Sequence, residues 1–130
     1  MIKKIILVLC LTTATLYGKN SLITHLMQNM EYAMNLMERG YLYNNIQWIN
    51  DGLKEFKTLN MELKKIDPHT YLSVSQRRDI NVVSGIVSRN QDNIEVMEYF
   101  LKQKDFIKSA DAYGRILAGC VSCHAISRNW

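Results

Sequence analysis

The sequence predicts an all-α protein: a single domain built as an antiparallel four-helix bundle. Three observations lead to this prediction. The 130 residues include 1 Pro and 6 Gly, which are too few breaks for the many turns of a β-sandwich. Apolar residues make up 48% of the chain, which is too high a fraction for a disordered protein. They recur three and four residues apart in four stretches joined by short connections, and no long stretch alternates with the period of a strand.

The N-terminus is typical of a secretory signal peptide. The basic pair Lys3-Lys4 is followed by an uncharged apolar run over residues 5–14. That run is shorter than the roughly 20 residues that cross a membrane. We therefore expect residues 1–18 to be removed and residues 19–130 to form the four-helix domain.

Removal of this segment changes the charge and the cysteine count. The chain has 16 Lys and Arg against 12 Asp and Glu, and two of those lysines lie in the segment. The small basic excess that remains gives no argument for a nucleic-acid partner. Cys10 is also removed, which leaves Cys120 and Cys123 as a pair. A lipid anchor at Cys10 is the alternative, but Leu9 stands where a small residue is expected.

The boundaries of the helices follow from the apolar pattern and from residues that start or stop helices. The predicted spans are about 21–39, 44–66, 75–103 and 105–127. Gly40 is expected to stop the first helix, and Asn44 or Asn45 to cap the second. The second helix is expected to end at Asp67-Pro68, because the residue before a proline avoids helical geometry. Ser75 is expected to cap the third helix.

The third predicted helix contains five polar residues in a row, Arg89–Asn93. On periodicity alone this run is a solvated turn, a kink or a polar patch within one long helix.

The chemistry-bearing motif lies near the C-terminus. Residues Cys120-Val121-Ser122-Cys123-His124 match Cys-x-x-Cys-His, the pattern of c-type haem attachment. Two thiols three residues apart on a helical turn can each form a thioether with a haem vinyl group. The adjacent His124 is then the axial ligand of the iron, and the exported context favours this interpretation.

Three other interpretations of the cysteine pair stay open. A disulfide between Cys120 and Cys123 would close a very short loop and add little stability. A thioredoxin-type redox pair needs a βαβ setting, which the helical pattern does not offer. A zinc site needs four ligands, and His25 and His69 are not spaced in a zinc pattern.

The position of the motif in the last helix resembles the cytochrome c-prime family, the class II c-type cytochromes. The likeness covers nearly all of residues 19–130 and includes Asp111-Ala112-Tyr113-Gly114 before the motif and Gln91-Asp92-Asn93-Ile94 in the third helix. It implies a bundle with one covalent haem c and its iron, and a third helix that continues through the polar run.

The resemblance also implies roles for single residues near the motif. Cys120 and Cys123 are the haem anchors, and His124 is the fifth ligand of the iron. Arg128, one turn beyond His124, is expected near the proximal pocket or a haem propionate. The alternative for Arg128 is a solvated residue that interacts favourably with the helix dipole.

The sixth coordination position comes from the first helix in this family. Alignment with that helix puts Met34 there, and a Met thioether opposite His raises the reduction potential of the iron. Met30 is the alternative ligand. Since Met27, Met30, Met34 and Met37 share one apolar stripe, at least three of the four are expected to be packing residues.

The expected function is that of a periplasmic mono-haem cytochrome that carries single electrons between redox partner proteins and is not an enzyme. The alternative is a five-coordinate protein that binds a small gas, nitric oxide above all. A helical domain with a Cys120–Cys123 disulfide and no haem is the third hypothesis. The family often pairs through its first two helices, so a homodimer is a further expectation. Lys54, Lys57 and Lys64-Lys65 form either a solvated face or a contact for an acidic redox partner.

Overall fold

The computed structural model describes residues 2–128, with side chains from Leu22 onwards. Its four α-helices are α1 (Ile2–Leu42), α2 (Ile46–Lys65), α3 (Ile80–Lys102) and α4 (Phe106–Arg128). Two short 3₁₀ helices, Pro68–Thr70 and Val74–Asp79, lie between α2 and α3. No strand occurs among the described residues, so the prediction of an all-α fold is confirmed. The interpretation of residues 1–18 as a signal peptide depends on side chains outside the described part.

Helices α1 and α2 form an antiparallel pair that meets at two glycines. A Cβ atom on Gly40 would lie 2.6 Å from the Ile49 side chain, and one on Gly52 would lie 2.7 Å from the Ala33 carbonyl oxygen. The order of these contacts reverses along the two helices, as it must in an antiparallel pair. The absence of side chains at both glycines lets the two backbones approach closely.

Helix α2 also lies antiparallel to α3. The Lys57 ammonium pairs with the Glu98 carboxylate at 2.8 Å, and the Asn60 amide donates to the Gln91 side-chain oxygen at 3.3 Å. Lys57 is therefore paired within the protein and is not one member of a free basic edge.

Helix α4 lies antiparallel to α3. The Arg115 guanidinium donates to the Asn93 side-chain oxygen at 3.2 Å, and Gly119 faces Asn90 one turn further along α4. Both asparagines belong to the polar run of α3, which is helical throughout. The expectation of a continuous third helix is thus confirmed, and the run is a polar patch within it.

Two tyrosines join α1 to α4, and we call them the tyrosine seam. The Tyr41 hydroxyl donates to the Ser109 hydroxyl at 3.0 Å, and the Tyr113 hydroxyl donates to the Met34 carbonyl oxygen at 3.4 Å. The two rings lie 6.0 Å apart between centroids. These contacts complete an arrangement compatible with an antiparallel four-helix bundle.

The prediction that Gly40 stops the first helix is wrong, because α1 continues to Leu42. Gly40 serves the close contact with Ile49, while the turn itself is made by Asn44, whose φ is 54°. Asn45 caps α2, as one of the two predicted options, by accepting from the Trp48 backbone N–H at 3.1 Å.

The start of the third helix also differs from the prediction. Ser73, and not Ser75, begins the helical segment, and it forms a capping box with Gln76. The segment first runs as a 3₁₀ helix, and α3 begins only at Ile80.

Candidate functional site

A cavity of about 320 Å³ lies among the helices, and all four contribute to its walls. Its inner wall is apolar and is formed by buried side chains of α2 and α3, namely Phe56, Leu63, Ile86 and Val87. This volume falls within the range of pockets that hold small molecules and cofactors.

The mouth of the cavity lies between α1 and α4. Exposed residues line it on both sides, Glu31 and Glu38 on α1 and Leu117 and Val121 on α4. Leu117 and Val121 are each 46% exposed, so the apolar lining reaches the surface. An apolar group that fills the cavity would remove part of this surface from water and stabilise the fold.

Both cysteines of the motif line the cavity and are free thiols. Burial raises the pKa of Cys120 to about 11, and the neighbouring Cys123 adds to the effect. Burial also raises the pKa of Cys123. Both side chains are therefore protonated thiols near neutral pH, and both face the same apolar space.

His124 lines the cavity beside the cysteines and is half-buried. Burial lowers its pKa, and the positive charge of Arg128 lowers it further. The imidazole is therefore neutral near pH 7, which is the form that coordinates metals.

Arg128 is exposed in the last turn of α4 and does not line the cavity. Its effect on the pKa of His124 nevertheless places its charge near the imidazole.

The methionine stripe of α1 divides into two parts. Met27, Met30 and Met34 line the cavity, whereas Met37 is fully buried away from it. Packing alone accounts for Met37. Met34 is 8% exposed and Met30 is 6% exposed, so the cavity brings both predicted ligand candidates into the same space as His124.

The two other histidines lie away from this cluster. His25 and His69 are exposed, and the His69 ring bonds the Asp67 carboxylate at 2.8 Å. Among the residues with described side chains, no three His, Cys, Asp or Glu residues form a group able to hold a metal ion.

The donor atoms at the cavity do fit an iron porphyrin. They comprise two thiols, a neutral imidazole and a methionine thioether around an apolar space, which is the set that c-type haem ligation uses. The cysteines would hold the macrocycle covalently, and His124 of α4 with Met34 or Met30 of α1 would supply the ligands of its iron.

Asn90 is a residue of the site that sequence reasoning missed. It lies in the polar run, yet it is only 5% exposed and lines the cavity. Its amide nitrogen lies 4.0 Å from the Cys120 sulfur, and its amide oxygen packs against Gly119. Its position between Val87 and Ile94, at helical spacing on the apolar stripe, is the signal that could have identified it.

The connection between α2 and α3 covers the end of α4 that carries the motif. Tyr71 is half-buried near Cys123, and its pKa is raised to about 12 by burial and by the charges of Cys123 and Asp67. The buried Gln76 amide donates to the carbonyl oxygens of Ile126 and Ser127 at 2.9 and 3.0 Å. The Ser-x-x-Gln spacing of the capping box was the available sequence signal for Gln76.

Comparison with known proteins gave no matching family model, no matching curated protein and no matching solved structure. Within the part of the chain that the structure describes, no helix is both long and apolar enough for a membrane span.

Proposed function

We propose that this chain is a mono-haem c-type cytochrome that carries single electrons. The observation that supports this proposal most directly is the shared cavity. It is lined by Cys120, Cys123 and His124 of the motif and, from α1, by Met34. Covalent haem c, when bound, supplies the one-electron chemistry of iron.

The residues of the chain would have distinct tasks. Cys120 and Cys123 would anchor the macrocycle, and the neutral imidazole of His124 would bind its iron. Met34 would be the second protein ligand of the iron, and His/Met ligation raises the reduction potential. The apolar walls at Phe56 limit the access of water. The proposed role is the transfer of electrons and not the transformation of a substrate.

The proposed location is the periplasm, because residues 1–18 have the pattern of a cleaved signal peptide. Redox partner proteins would supply and accept the electrons.

The test of this proposal is the absorption spectrum of the protein produced in a host that matures c-type cytochromes. We expect haem to remain with the chain after denaturation and to be lost from it when both cysteines are changed to Ser. The reduced wild-type protein should show the sharp bands of low-spin iron, and Met34→Ala should convert them to a high-spin spectrum, because the thioether ligand is lost.

Two matched methionines control this experiment. Met37→Ala removes a buried thioether that does not line the cavity, so it should lower stability by about 2–5 kcal/mol and leave the spectrum unchanged. Met30→Ala removes the other ligand candidate. If Met30→Ala alters the spin state and Met34→Ala does not, Met34 is not the ligand. A colourless wild-type protein would refute the haem proposal altogether.

The second candidate function is reversible binding of a small gas such as nitric oxide. One observation favours it: Met27, Met30 and Met34 all contact the apolar core, and side chains that only pack would leave the sixth position free. This candidate requires a high-spin wild-type spectrum that carbon monoxide converts to a low-spin one.

A further inference from the structure

Three arginines meet at the end of the molecule that carries the motif, and we call them the arginine face. Arg77 and Arg78 lie at the end of the 3₁₀ helix Val74–Asp79, and Arg128 lies in the last turn of α4. All three are exposed. Arg128 is distant in sequence from the neighbouring pair Arg77 and Arg78, so the fold is what brings it to this end of the molecule.

The contact that assembles this face is made by Gln76. Its amide donates to the carbonyl oxygens of Ile126 and Ser127. Arg77 and Arg78 follow Gln76 directly, and Arg128 follows Ser127 directly. The two hydrogen bonds therefore bring the backbone at Arg77 and Arg78 to the same end of the molecule as the backbone at Arg128.

The arginine face lies next to the candidate haem site. Arg128 follows His124 by one turn of α4. The hydrogen bonds from the Gln76 amide to Ile126 and Ser127 hold the connection that carries Arg77 and Arg78 against that turn. An electron that leaves or reaches the iron at this end of α4 therefore passes close to the face.

Within the described residues, the carboxylates near these arginines only partly balance their charges. Arg78 pairs with Asp79 at 3.5 Å. The pKa of Asp67 is lowered mainly by hydrogen bonds from His69, with a smaller effect of Arg77. Lys64 and Lys65, both exposed at the end of α2, extend the positive charge beyond Asp67.

We propose that the arginine face is the docking surface for an acidic electron-exchange partner protein, an inference that rests on the proposed electron-transfer function. Opposite charge on the partner speeds encounter and selects the orientation, and this orientation puts the partner beside the ligand-bearing end of α4. Proteins that lie on membranes insert several large apolar residues, whereas Val74 is the one strongly exposed large apolar residue in the described connection 66–79. A protein surface is therefore favoured over a lipid surface.

The experiment uses a gold electrode coated with a carboxylate-terminated monolayer as the acidic surface, and a hydroxyl-terminated monolayer as its neutral control. Adsorbed mass is measured with a quartz microbalance and haem oxidation by voltammetry at low salt. The variant R77Q/R78Q removes two charges from the face. The matched control K102Q/K104Q removes two exposed lysines at the opposite end of α3.

We expect wild type and K102Q/K104Q to adsorb on the carboxylate surface and to show a haem wave there. Adsorption of R77Q/R78Q should fall about fivefold, because two exposed charge interactions are lost. Added salt should remove the difference between the variants, since it screens exposed charges. Circular dichroism should show equal helix content in all three proteins.

Three outcomes would overturn the inference. Equal adsorption of the two variants would mean that net charge alone acts. A loss in K102Q/K104Q would assign the contact to the other end of the molecule. Binding to phosphatidylglycerol vesicles that depends on Arg77 and Arg78, without any such dependence at the electrode, would assign the face to lipid. If wild type adsorbed better than R77Q/R78Q but gave no haem wave, the proposed function would be refuted. The preference of the arginine face for an acidic surface would still hold.

Discussion

Asn90 and Gly119 lie so close together that one additional carbon atom at Gly119 would not fit. The Asn90 side chain is buried and lies between α3 and the first cysteine of the motif. A Cβ atom at Gly119 would collide with the amide oxygen of Asn90. The glycine therefore allows a polar side chain to lie in the wall of the cavity beside Cys120.

Gly119→Ala should lower the free energy of unfolding by about 1–3 kcal/mol, because the buried amide must move to admit the methyl group. Gly114 is the matched control on the same helix, since nothing lies within 4 Å of a Cβ atom built there. Gly114→Ala should raise stability by roughly 0.5–1 kcal/mol through helix propensity. Urea denaturation of both variants measures the difference.

A double variant identifies the cause of the loss at Gly119. In a protein that already carries Asn90→Ala, the change Gly119→Ala should cost much less stability than it costs in the wild type, because the colliding amide is gone. Strict additivity of the two changes would show that the Asn90 amide is not what the methyl group meets.

The connection between α2 and α3 holds the C-terminal end of α4 in place. The last carbonyl groups of a helix have no partner within the helix, and at Ile126 and Ser127 the Gln76 amide supplies one from another segment. The Gln76 side-chain oxygen also accepts from the Ser73 backbone N–H at 2.9 Å. One side chain thus orders the start of its own segment and the end of α4.

Gln76→Ala should lower stability by about 2 kcal/mol, since a buried hydrogen-bonded amide is lost. It should also increase hydrogen exchange in the last turn of α4, next to His124. Gln47→Ala is the control: the Gln47 amide bonds Asp51 on an exposed surface, and its loss should change stability by less than about 0.5 kcal/mol. Unchanged exchange near Ser127 in Gln76→Ala would show that the end of α4 does not depend on this contact.

The four α-helices could be predicted from the sequence, but some of their ends and the two 3₁₀ helices could not. Apolar periodicity identifies the four helices because each buries one stripe. The end of α1 was mispredicted because Gly40 serves a contact with Ile49 that lies outside its own helix. The start of α3 was mispredicted because the segment that Ser73 begins runs first as a 3₁₀ helix, and its Gln76 is bonded to the end of α4, which is distant in sequence.

The part of the candidate site that is defined by short spacing along the sequence could be predicted. The Cys-x-x-Cys-His motif identifies Cys120, Cys123 and His124, because the chemistry of this motif depends on residues that are close together in sequence. Asn90 could not be identified in the same way, since a polar run is ordinarily solvated and its burial depends on how α3 packs on α4. The identity of the distal ligand stays a prediction, because Met30 and Met34 both line the cavity.

Three half-buried tyrosines make the stability of the whole molecule sensitive to alkaline pH. Burial raises the pKa of Tyr71 and of Tyr113 to about 12, and it also raises the pKa of Tyr41. A tyrosine in the unfolded chain ionises near pH 10. Above that pH the folded state retains protons that the unfolded state loses, so folding stability falls as pH rises from about 10 towards 12.

Tyr71→Phe and Tyr113→Phe should each reduce this alkaline loss, because one of the raised pKa values is removed. The control is Tyr32→Phe, which changes a tyrosine that is 67% exposed and should leave the pH dependence unaltered. Urea denaturation at several pH values from about 9 to about 11 measures the effect. A wild-type protein of constant stability across this range would contradict the prediction.

The tyrosine seam also bears on the order in which the molecule folds. It joins residues 68 and 79 positions apart in the chain, whereas each helical hairpin closes over a much shorter loop. Because closing long loops costs more entropy, the two hairpins are expected to form first and the seam last. The cavity exists only after that final step. A prosthetic group already attached to α4 would then meet α1 at a high effective concentration, so the covalent bond at the motif would favour this last step of assembly.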